Sequence, residues 1–95
     1  MEKSGDEYFV VKVGKKRVWS YVTACVTCFN RGGRRIMIRA RGTNIPNAVD
    51  VTNALRKSFY SNLQIEKVSL VEETIPGDEN RTIVMAIEIL LSKGT

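Results

Sequence analysis

Histidine is absent from these 95 residues. That removes the usual general base, the side chain that titrates nearest neutrality and the commonest metal ligand together. Cysteine occurs only twice, too few for a four-thiolate zinc site within one chain. With no export signal, two cysteines fit a reducing compartment. No apolar run approaches the ~20 residues of a membrane span. The opening, from Met1 to Glu7, is charged and has no signal-peptide core behind it. Gly-rich phosphate loops of the Gly-x-x-x-x-Gly-Lys-Ser/Thr and Gly-x-Gly-x-x-Gly types are missing as well. These absences predict a soluble cytoplasmic protein that is not an enzyme, with no cofactor, no metal and no membrane partner.

Acids are scarce in one stretch. Between Lys12 and Lys57 stand eleven basic residues and a single acid, Asp50, a local surplus of ten positive charges. The remaining residues carry four bases against nine acids, inside a total of +5. Segregation of this kind marks a face that binds a polyanion, nucleic acid first, with anionic membrane or acidic protein behind it. Hydrophobic residues make up 43%, enough for one core. We expect a single domain over residues 1–95, with residues 1–7 as a flexible lead. The chain is short enough that a second subunit covering apolar surface is plausible.

Tyr8 to Val13 is β-branched and aromatic and stops at Gly14, which predicts a strand. Val18, Tyr21, Val22, Cys25, Val26 and Phe29 recur at helical spacing, and Asn30, Gly32 and Gly33 end that helix in a left-handed cap. Arg34 to Ala40 alternates, with Arg35, Met37 and Arg39 on one side and Ile36, Ile38 and Ala40 on the other. After a turn at Arg41 to Thr43, Asn44 is placed to cap a second helix with Pro46 in its first turn. Ile45, Ala48, Val49, Thr52, Leu55 and Phe59 line its apolar face to about Tyr60. Gln64 to Glu73 and Thr82 to Leu91 read as two strands joined by a turn through Thr74 to Asn80. The order β-α-β-α-β-β predicts an α/β (α+β) sandwich of two layers, a four-stranded mixed sheet with both helices on one face.

Cys25-Val26-Thr27-Cys28 lies well inside a helix rather than at its N-terminus, so both thiols are read as small core residues. Arg31-Gly32-Gly33-Arg34 is read as a helix cap. Glu72, Glu73, Asp78 and Glu79 surround a turn without apolar walls and are read as a solvated hairpin tip. Lys12, Lys15, Lys16 and Arg17 lie at and beyond the end of the first strand. Arg39, Arg41 and Asn44 lie at the same end of the second, because the two strands run parallel. Lysine there holds phosphate as a point charge and arginine as a bidentate fork. Trp19, off the apolar stripe, is positioned to stack on a base or to pack partly exposed.

The segment Gly14-Lys15-Lys16-Arg17-Val18-Trp19-Ser20-Tyr21-Val22 resembles the first strand–helix junction of the Alba family. Ile38-Arg39-Ala40-Arg41-Gly42, then Ile45 and Ala48-Val49-Asp50, resembles its second signature at the same interval. The resemblance implies an Alba-like fold and an archaeal nucleoid protein, a homodimer that coats double-stranded DNA and also binds RNA. It implies that Lys15 and Lys16 grip phosphates and that Lys15 is the lysine whose acetylation weakens binding. Arg41 would contact the backbone, and the hairpin from Thr74 to Arg81 would reach along the minor groove. The second helix and last two strands would dimerise, with Leu55 and Phe59 in contacts within or between dimers. Arg17 replaces the family's proline, Trp19 and Ser20 its methionine and asparagine, and Thr43 a frequent arginine, as in a divergent paralogue able to form heterodimers.

Three functions follow as expectations. The first is sequence-independent coating and compaction of chromosomal DNA. The second uses the same loops chiefly on RNA, or within an RNase-P-like ribonucleoprotein, where A-form RNA offers a shallow minor groove and 2′-hydroxyls. The third is a protein-interaction module whose basic face is incidental.

Overall fold

The computed structural model describes residues 2–3, 8–75 and 82–94. Its elements are β1 (Glu2–Lys3), β2 (Phe9–Lys12), α1 (Val18–Asn30), β3 (Arg35–Arg41), a 3-10 turn over Gly42–Asn44, α2 (Ile45–Ser58), β4 (Gln64–Thr74) and β5 (Ile83–Ser92). The four anticipated strands form one mixed sheet, and β1 adds a two-residue edge, giving the order β1-β2-β3-β5-β4. Only β2 and β3 pair in parallel, with Val11 opposite Ile38 and Lys12 opposite Arg39. β5 runs antiparallel to both β3 and β4. Strand β1, with Glu2 opposite Val10, takes part of the lead expected to be flexible into the sheet; residues 4–7 lie outside the described residues.

Alternation decides which side of the sheet the helices cover. Ile36, Ile38 and Ala40 of β3 stand opposite Leu91, Ile89 and Ile87 of β5, and all six are buried. Val22, Cys25, Cys28 and Phe29 from α1 and Ala48, Val51 and Leu55 from α2 close over them in one cluster. Burial of such side chains supplies about 1.5–3 kcal/mol each. Both cysteines are core residues, as their spacing suggested. Burial pushes the Cys25 thiol up from its ordinary 9.0 to about 12 and raises that of Cys28.

Helix α1 ends in a Schellman motif: the Gly33 N–H donates to the Cys28 carbonyl and the Gly32 N–H to that of Phe29, with Gly32 at φ +91°. The Arg31–Arg34 segment is thus a cap. On α2 the buried stripe is Ala48, Val51, Thr52 and Leu55, not the predicted set. Val49 and Phe59 are exposed, at 42% and 51%, because the stripe follows spacings of three, one and three from Ala48 and rotates both outward. Leu55 is wholly buried and has no surface left for a dimer contact, which corrects the expectation that it makes one. α2 stops at Ser58, where the N–H groups of Phe59 and Tyr60 both turn back to the Leu55 carbonyl. Asn44 occupies the N-cap position, but its side chain makes no cap hydrogen bond; Pro46 fills the first turn as expected.

β4 and β5 are 11 and 10 residues long and outrun the helices. By register Ile65, Val68 and Leu70 of β4 share the helix-side face with Leu91, Ile89 and Ile87 of β5, yet nothing covers them. Val68 is 55% exposed and Leu70 64%, and Ile83 and Met85 on β5 are open too. Thr74 belongs to β4 rather than to a turn, and the Ile75 N–H still donates to the Thr82 carbonyl. The hairpin tip itself, Arg81 included, lies outside the described residues.

Candidate nucleic-acid interface

Parallel pairing sends β2 and β3 out of the same edge, so the segments after them meet. Lys12, Gly14, Lys16, Arg41 and Asn44 line one open cleft of about 520 Å³ there, with Arg39, Ala40, Val13 and Tyr21. A second cleft, about 310 Å³, shares Lys12, Lys16 and Tyr21 and continues along β2 to Val10. Lys12, Lys15, Lys16 and Arg17 are all exposed, and Asn44 is half-buried. The structure therefore gathers Lys12, Lys16, Arg39, Arg41 and Asn44 at one site, with Lys15 and Arg17 on the same short loop as Lys16.

The loop is tethered from both helices. The Tyr21 hydroxyl on α1 accepts hydrogen bonds from the N–H groups of Gly14, at 2.9 Å, and Lys16, at 3.2 Å. From α2, the Asn47 side-chain amide donates to the Gly14 carbonyl at 3.0 Å. A Cβ at Gly14 would stand 3.3 Å from the Tyr21 oxygen, so the glycine leaves room for the hydroxyl. Backbone groups without a strand or helix partner are thus satisfied by two side chains. Lys15 and Lys16 project from a segment of fixed shape, which lowers the ordering cost of seating a phosphate. Neither Tyr21 nor Asn47 was a predicted site residue. Tyr21 sat on the apolar stripe, and only its phenolic oxygen, useless in a core without a partner, hinted at a second duty.

The strand arginines are in another state. Arg39 and Arg41 point away from the helices, on the open side of the sheet. Arg39 Nε donates to Glu88 Oε2 at 3.0 Å, and its Nη2 pairs with Glu73 Oε1. Arg41 Nη1 lies 3.4 Å from Glu73 Oε2. Farther along, Arg35 meets Glu66 at 3.6 Å. The charge of Arg39 is therefore largely compensated within the fold, which corrects its expected role as an open phosphate ligand. Glu73, read as part of a solvated tip, has only 18% of its side chain exposed and sits between two arginines.

Trp19 is 54% exposed and meets Phe59 edge to face, with ring centroids 6.2 Å apart. It packs on α2's end rather than over the lysine loop. Among the described residues no group of three or more His, Cys, Asp or Glu side chains could hold a metal ion. No described helix is long and apolar enough to cross a membrane.

A four-stranded core sheet with two helices on one side and a basic cleft where two parallel strands end defines a small α+β domain shaped to hold an extended anion. Residues 10–72 match the Alba family. The chain is 40% identical over 84 residues to the DNA/RNA-binding protein Alba of Thermoplasma acidophilum, covering 88% of this chain and 94% of that one. It is 43% identical over the same length, with the same coverage, to the protein of that name from Methanothrix thermoacetophila. The solved structure of Alba from Thermoplasma volcanium superposes with a TM-score of 0.82 at 41% identity, covering 87% of this chain and 98% of that one. The chain belongs to the Alba family.

Proposed function

We propose that this protein binds nucleic acid without regard to sequence, coats and compacts chromosomal DNA as a homodimer, and also binds RNA. The observation that carries the reading is the Gly14–Arg17 loop, whose backbone Tyr21 and Asn47 hold beside Arg41 and Asn44. Lysines so held contact phosphate oxygens, which carry no base code. Relatives 40% and 43% identical bear the name DNA/RNA-binding protein, which supports both ligands. RNA-led function, alone or in an RNase-P-like particle, is the second reading and rests on those names. Arg81 and the hairpin tip would add a groove contact.

The homodimer is supported by the apolar face of β4 and β5. Ile65, Val68, Leu70, Ile83 and Met85 are each more than 40% exposed and contiguous by register. A patch of this kind marks an interaction surface. With Leu55 withdrawn into the core, α2 offers Phe59 and Val49 instead, for contacts within or between dimers. A paralogue with the same face would give a heterodimer. Lys15 is exposed, and its acetylation would remove one charge-assisted phosphate contact. The role places the protein on the chromosome, in the cytoplasm.

Titrating the protein into a labelled random-sequence 30-mer duplex, and into RNA of the same length, over a range of salt tests this. Log affinity should fall with log salt at roughly −0.9 per phosphate contact on B-DNA, with several contacts per dimer and no dependence on sequence. A flat response on both ligands would reject the reading in favour of a protein-interaction module. Much stronger binding to RNA would favour the second reading.

A further inference from the structure

Glu73 stands where a phosphate would have to stand to meet two arginines at once. It enters from β4, two strands away from the arginines, across β5. One carboxylate oxygen serves Arg39 and the other Arg41. Ala86 of β5, opposite Arg41 on β3, is fully buried although it faces the open side, consistent with guanidiniums passing above it. A carboxylate and a phosphodiester present the same planar fork of acceptors to arginine.

The two arginines are not held alike. Arg39 has a second carboxylate, Glu88 at 3.0 Å, and its side chain is 30% exposed. Arg41 has Glu73 alone among the ion pairs found in the described residues, at 3.4 Å, and is 57% exposed at the cleft rim. The length is well beyond the 2.7–2.9 Å of a strong charge-assisted bond, and an exposed pair of this sort contributes little. Arg39 is fastened; Arg41 is exchangeable.

We propose that Glu73 is an internal competitor of the nucleic-acid backbone for Arg41, and so sets how tightly this family member binds. The inference rests on the nucleic-acid reading above. In the free protein Arg41 leans on Glu73. On binding it moves to a phosphate, while Glu73 keeps Arg39, so no carboxylate is left buried and unpaired. Affinity is lowered by the contact that has to be given up, and the ligand has to be a strong oxyanion to take it.

The experiment uses the same 30-mer duplex and salt series with Glu73→Gln. The variant should bind about two- to fivefold more tightly, the range of one exposed ion pair. Its salt slope should steepen by roughly 0.9, one further phosphate contact. Adding Arg41→Ala to Glu73→Gln should abolish both gains. Unchanged affinity and slope would overturn the proposal, as would a gain that survives Arg41→Ala, since that would reflect only a lost negative charge. If Glu73→Gln does not fold by circular dichroism, the natural chain decides. Arg41→Ala should then cost less affinity than Lys15→Ala, and an equal or larger cost would overturn the proposal. Natural protein with no salt-dependent binding to duplex would instead reject the underlying reading, before any variant is made.

Discussion

The two ends of the sheet solve opposite problems. Where β2 and β3 end, a polar segment with nothing to pair with is fixed by Tyr21 and Asn47 and carries uncovered lysines. Where β4 and β5 run past the helices, the backbone is fully paired in a ladder, but the side chains are apolar and uncovered. The first end has its backbone satisfied and its charge unsatisfied; the second has its backbone satisfied and its hydrophobic surface unsatisfied. Each deficit calls for a partner of its own chemistry, polyanion at one end and apolar protein surface at the other. The two ends should therefore fail separately.

The widest separation should come from Lys15→Ala combined with Lys16→Ala. Loss of two phosphate contacts should cost duplex affinity at least tenfold at moderate salt and flatten the salt slope by about 1.8. Sedimentation should still show the same oligomer, and a double variant binding like the natural chain would remove these lysines from the site. Leu70→Asp makes the complementary test. A charge placed in a residue that is 64% exposed should spare the fold and convert the dimer to a monomer at micromolar concentration. A natural protein that is already monomeric there would remove the arm's assigned role.

Tyr21→Phe should have a smaller effect. It keeps the ring and deletes the acceptor for two N–H groups, a loss of about 1 kcal/mol in stability. Affinity should fall several-fold with the salt slope unchanged, because the lysines remain but are no longer pre-set. A changed slope would mean that the hydroxyl itself touches the ligand.

The smallest effect concerns the core between the two ends. Cys25 is held neutral by burial, its thiol raised from 9.0 to about 12. The unfolded chain loses that proton first, so Cys25's contribution to stability is complete below pH 9 and is lost between pH 9 and 12. Chemical denaturation should show a decline over that window that Cys25→Ser reduces, while thiol labelling of the native protein at pH 8 should be slow.

Local signals were legible in the sequence and long-range pairings were not. Gly14 ending a strand, Gly32 and Gly33 closing a helix, and the alternation of Ile36, Ile38 and Ala40 each state their structure within a few residues. The cluster Lys12, Lys16, Arg41 and Asn44 followed from parallel strands alone. Glu73 and Glu88 could not be assigned to Arg39 and Arg41 in this way. The partners are 32 to 49 residues apart, and only the strand order β3-β5-β4 makes them neighbours. On α2, Val49 and Val51 are both apolar, and periodicity alone does not say which of two overlapping stripes meets the sheet. The choice was made by Ile87 to Leu91, far along the chain, and it carried Leu55 inward and Phe59 outward.

The bond from Asn47 to the Gly14 carbonyl spans 33 residues and closes only when α2 has docked beside the end of β2. The shape of the lysine loop is then a readout of the whole fold rather than of its own eight or nine neighbours. A chain arrested with α1 and its flanking strands in place but α2 undocked would carry the same charges on a slack loop, with the entropy of ordering restored to every encounter. Partly folded protein should thus sort itself away from the chromosome by weak affinity alone, and the population retained there should be enriched in completely folded molecules.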